Sequence, residues 1–96
     1  MTLEEKLEKF LEGPIGFRLK SEEITDELAK VLDGDDRFKD KDWTWKELCS
    51  DARKRYGDKA LIAYDATGNF YGSTYTIGDM IDPVDVTLEE LKAYNG

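Results

Sequence analysis

The sequence predicts one α+β domain over residues 1–96, a three-stranded, largely antiparallel sheet with about four helices. The predicted order is helix, strand, helix, helix, strand, strand, helix. Three observations lead there. Helix-capping residues stand at Thr2, Ser21, Thr44 and Thr87, each ahead of apolar residues spaced three and four apart. Residues 15–20 alternate apolar and polar, the period of a half-buried strand. Two strand-like runs, 59–64 and 70–77, flank Asp65-Ala66-Thr67-Gly68-Asn69, whose Asp and Gly suit a hairpin loop with a bulge.

The elements follow in order. Thr2 and Glu5 form a capping box, Leu3, Leu7, Phe10 and Leu11 fall on one helical face, and Gly13-Pro14 stops the helix. Ile15, Phe17 and Leu19 make the inward face of a strand. Ser21 caps a second helix with Ile24, Leu28, Val31 and Leu32 inward and Gly34 at its end. After a charged loop, Thr44 and Glu47 form a capping box, with Trp43 and Leu48 as its hydrophobic staple. Trp45, Leu48, Cys49, Ala52 and Tyr56 share one face of this third helix, and Gly57 ends it. The run Ala60-Leu61-Ile62-Ala63-Tyr64 is apolar on both faces, which places it centrally in the sheet. Residues 78–83 read as an irregular turn. Val86, Thr87, Glu90 and Leu91 then repeat the staple and box at the start of a final helix.

Composition narrows the function. With 22 Asp and Glu against 14 Lys and Arg the net charge is −8. The charge is uneven: residues 1–36 carry 11 acids and 5 bases, 37–59 carry 5 and 8, and 60–96 carry 6 and 1. Two acidic ends flank a basic middle, which disfavours direct nucleic-acid binding overall. A single cysteine excludes an intrachain disulfide, the acidic start does not resemble a signal peptide, and no apolar run reaches the ~20 residues of a membrane span. The expected location is the cytoplasm, away from membranes.

The chain has no histidine, the usual general acid-base group and transition-metal ligand. Cys49 lies on the apolar helix face and reads as an inert core thiol. Asp33, Asp35, Asp36, Asp40 and Asp42 lack the glycine of a calcium loop in either register, and Arg37, Lys39 and Lys41 interleave them. No phosphate-binding glycine string is present. We therefore expect no enzymatic activity, no cofactor and no metal.

Surface candidates remain. Phe38, stranded between Arg37 and Lys39, either folds back against Trp43, the preferred reading, or stands exposed for a partner. Tyr71 and Tyr75 share a face of the last predicted strand, near Asp79, Asp82 and Asp85. Glu22, Glu23, Asp26 and Glu27 form a second acidic group. In size and acidity the chain resembles the small inhibitors made by phages and mobile elements, anti-CRISPR proteins and nuclease immunity partners among them. That resemblance assigns no individual residue. It implies an inhibitor or adaptor that binds a nucleic-acid-handling protein, its carboxylates occupying a basic groove as a DNA mimic does. The alternative is a small nucleic-acid-binding protein using the basic helix 44–59.

Overall fold

Each helix starts where local capping chemistry sets it. In the computed structural model, which describes residues 2–12, 15–38, 42–64, 70–72 and 82–95, the helices are α1 (Leu3–Glu12), α2 (Glu22–Asp33), α3 (Trp45–Tyr56) and α4 (Leu88–Asn95). The Glu5, Ile24, Glu47 and Glu90 amides donate to the hydroxyls of Thr2, Ser21, Thr44 and Thr87, each at 3.2 Å. At Thr87 the box is reciprocal, its own amide donating to Glu90 Oε1 at 3.0 Å. These bonds satisfy amides that a helix leaves without intrahelical partners in its first turn. Gly57 ends α3 at φ +62, a conformation that glycine adopts without a Cβ clash.

The sheet contains β1 (Ile15–Arg18), β2 (Leu61–Tyr64), β3 (Phe70–Gly72) and β4 (Asp82–Val84) in the order β3-β2-β1-β4. β2 pairs antiparallel with β1, Phe17 opposite Ile62, and with β3, Ile62 opposite Gly72. Strands form within all three expected runs, at 15–18, 61–64 and 70–72. Residues 73–77 of the last run and 78–81 of the expected turn lie outside the described residues. The run 60–64 lies between two neighbours, as its two-sided apolarity suggests. The structure adds a fourth strand. β4 pairs parallel with β1, Ile15 opposite Asp82 and Phe17 opposite Val84, so the sheet is mixed and part of the expected turn at 78–83 is strand. Pro83 has no amide to donate, which an edge strand tolerates. Gly16 marks the close approach of β1 to β2: a Cβ there would sit 2.8 Å from the Ile62 carbonyl oxygen. The connecting residues 65–69 lie outside the described residues.

All four helices bury side chains in one cluster with Ile15, Phe17, Leu19 and Ile62. Phe10 of α1 stacks on Phe17 at 4.6 Å and meets Trp45 at 5.7 Å. Leu61 and Ala63, on the opposite face of β2, form a second small buried pair. Tyr56, expected on the core face of α3, is 43% exposed because it is the helix's last residue, one turn past the buried Ala52.

Phe38 is core, not surface. A 3-10 turn at Asp36–Phe38, closed by the Phe38 amide on the Asp35 carbonyl at 3.0 Å, swings the ring inward to 1% exposure. There it meets Phe10 at 5.5 Å and Trp45 edge-on at 6.4 Å. The Phe38 carbonyl accepts the buried Trp45 indole N–H at 2.7 Å. Above the ring, the Arg37 guanidinium lies 5.4 Å from its centroid and bonds Asp35 and Glu4. The Arg37 hydrogen bond holds the Asp35 carboxyl below its ordinary 3.8, so this contact stabilises at neutral pH and is lost as acid protonates the carboxylate. Phe38→Ala should cost about 3–5 kcal/mol of unfolding free energy in chemical denaturation. A loss under about 1 kcal/mol would contradict this burial.

Candidate partner-binding surface

The acidic group of α2 owes its position to the helix's inward face. Thr25, Leu28, Ala29, Val31 and Leu32 are buried, and the Thr25 hydroxyl donates to the Ser21 carbonyl at 2.6 Å. With that stripe turned inward, Glu22, Glu23 and Asp26 of the first turns point to solvent. The positive end of the helix dipole favours carboxylates there. Among the described residues no cation pairs with these three. Glu27 is different: only 18% of its side chain is exposed, and it pairs with Lys30 at 3.2 Å.

Two open grooves flank this ridge. The larger, of about 610 Å³, is lined by Glu23, Asp26, Glu27 and Asp33 and by Lys30, Lys46 and Lys92. The smaller, of about 330 Å³, lies between Glu22, Thr25 and Asp26 of α2 and Ser50, Arg53 and Lys54 of α3. Asp26 lines both.

The other candidates separate. Asp85 is spent internally, with Lys20 Nζ at 3.0 Å and Arg18 Nε at 3.7 Å. Asp82 is exposed on the edge strand β4, while Asp79 and Tyr75 lie outside the described residues, as does the side chain of Tyr71. Phe38 is buried in the core and offers no surface to a partner. Trp43 is half-buried, its ring edge-on to Trp45 at 5.0 Å. The structure thus gathers Glu22, Glu23, Asp26 and Glu27 on one helix and leaves Asp82 and Asp85 on a different element.

Asp33 has a role that the reading of the sequence missed. Its carboxylate accepts the amides of Trp45 at 2.7 Å and Lys46 at 3.1 Å, capping α3 from the end of α2. No local pattern announces a bond across 12 residues. Among the described residues no three His, Cys, Asp or Glu side chains are grouped to hold a metal ion.

The basic stripe of α3 is partly consumed. Arg53 donates to the Leu19 carbonyl at 2.7 Å and pairs with Asp58 at 3.3 Å. Arg55 pairs with Asp51 at 3.1 Å, the favourable i,i+4 arrangement. Lys46, Lys54 and Lys59 remain exposed. No described helix is long and apolar enough to cross a membrane. Compared with known protein families, with curated proteins and with solved structures, the chain matches none of them.

Cys49 is fully buried, and burial pushes its thiol up to about 12, with Asp33 and Asp26 adding to the shift. The thiolate needed for nucleophilic chemistry is therefore scarce at neutral pH. A maleimide should label Cys49 slowly in native buffer and rapidly in denaturant. Fast native labelling would take it out of the core.

Proposed function

We propose that this protein is a non-enzymatic, acidic protein-binding module, an inhibitor or adaptor that occupies the basic surface of a nucleic-acid-handling protein. One observation carries the reading: Glu22, Glu23 and Asp26 stand as a solvent-facing ridge between two open grooves. A row of carboxylates without counter-ions speeds encounter with a positive surface and presents it with a substitute for phosphates. The α2 ridge is preferred over the acids near β4 because Asp85 already neutralises two cations of its own chain. A buried thiol of raised pKa and a sequence without histidine support the non-enzymatic reading. A phage or mobile-element origin and a cytoplasmic location belong to the same proposal.

The second reading, nucleic-acid binding through the basic helix, draws on the exposed Lys46, Lys54 and Lys59. It is the weaker one, since Arg53 and Arg55 are engaged with their own chain.

The combined variant E22K/E23K/D26K tests the leading reading. Wild type immobilised in a lysate of the source organism should retain nucleic-acid-binding proteins. The variant should associate with them at least about 10-fold more slowly at low salt, with the gap closing as salt rises. Equal association of both proteins would sink the mimic idea. Duplex DNA titrated onto the wild-type chain at two salt concentrations should show no binding, and a steeply salt-dependent affinity would favour the second reading instead.

A further inference from the structure

We infer that residues 82–95, β4 together with α4, form an electrostatically latched strap that lifts from the domain as one unit, short of global unfolding, when its ion pairs are screened. The polar seam is the first ground. Three of the four cations in residues 1–20 are committed to this segment. Lys6 Nζ lies 2.7 Å from Glu90 Oε1 and 3.0 Å from the Asp85 carbonyl oxygen. Lys20 and Arg18 meet the Asp85 carboxylate. Glu4 of α1 accepts the Tyr94 hydroxyl at 3.0 Å. Glu90 works twice, since the oxygen facing Lys6 also accepts the Thr87 amide that opens α4. The latch and the helix start are therefore one structure.

The second ground is the small apolar hold. Val86 and Leu91 are the fully buried hydrophobic residues described in this segment, with Val84 half-buried against the core, whereas α2 buries four. Its strand is three residues long, lies at the sheet edge and contains Pro83, which has no amide to donate. Segments with few buried apolar contacts open locally below the global unfolding free energy. The Asp85 contacts are about half exposed, so salt screens them, whereas Lys6 and Glu90 are largely covered and hold longer.

Opening reaches the candidate surface. Lys92 of α4 lines the larger groove with Glu23, Asp26 and Glu27, so lifting the strap removes one wall and one positive charge beside the acidic ridge. This consequence for binding rests on the proposed function; the strap itself does not.

Hydrogen exchange by mass spectrometry on the full chain tests the strap without a partner. Wild type, D85N and K6M are compared at about 20 mM and about 1 M KCl, where the Debye length falls from roughly 20 Å to 3 Å. In wild type at low salt, peptides covering 82–95 should exchange at least about 10-fold faster than those of α2 and α3. D85N, K6M or high salt should speed the strap a further ~5-fold and leave α2 and α3 unchanged. The inference is overturned if 82–95 exchanges at one rate with α2 and α3, if α4 exchanges without β4, or if neither salt nor either substitution alters the strap.

Discussion

A buried indole needs an acceptor for its N–H, and meeting that need organises this domain. Trp45 finds its acceptor in the Phe38 carbonyl, 2.7 Å away. For that carbonyl to face inward the chain makes a 3-10 turn after α2, and the turn carries Phe38 into the core with it. The Trp45 backbone amide is tied to Asp33 at the end of α2, while its ring meets Phe10 of α1 and Trp43. One residue thus joins three helices and the turn between two of them. Removing either hydrogen-bond partner would strand a polar group in apolar surroundings, which costs more than the bond itself contributes.

The orientation of α2 follows from that junction. Once Asp33 caps α3 and Leu28, Val31 and Leu32 turn into the shared core, Glu22, Glu23 and Asp26 have nowhere to go but solvent.

Placement of the cations sharpens that surface. Lys6, Arg18, Lys20, Arg37 and Arg53 all bind acids or carbonyls that hold separate elements together. Most of these contacts are exposed enough that each is worth little alone. Their collective effect is distribution. These five cations sit at seams between elements, while Glu22, Glu23 and Asp26 of α2 face solvent with no paired cation among the described residues. The same sorting ties residues 85–90 to α1 and to Arg18 and Lys20 through Lys6–Glu90 and the Asp85 pairs.

Local chemistry was legible in the sequence. The four helix starts, the stop at Gly57, the burial of Cys49 and the inner position of residues 60–64 rest on signals within four residues or on a run's own composition. The acids of α2 were legible as a group for the same reason, although their isolation from counter-ions was not. What the tertiary structure decided depends on partners far along the chain. Asp82, Pro83 and Val84 show no alternation and become a strand only because β1 offers an edge about 67 residues away. Asp85 looks like any surface acid until Lys20 and Arg18 meet it. Phe38 sits among charges in sequence, yet Phe10 and Trp45 provide its apolar surroundings in space. Caps and periodicity are set by bonds between near neighbours, whereas burial and ion pairing are set by whatever the fold brings alongside.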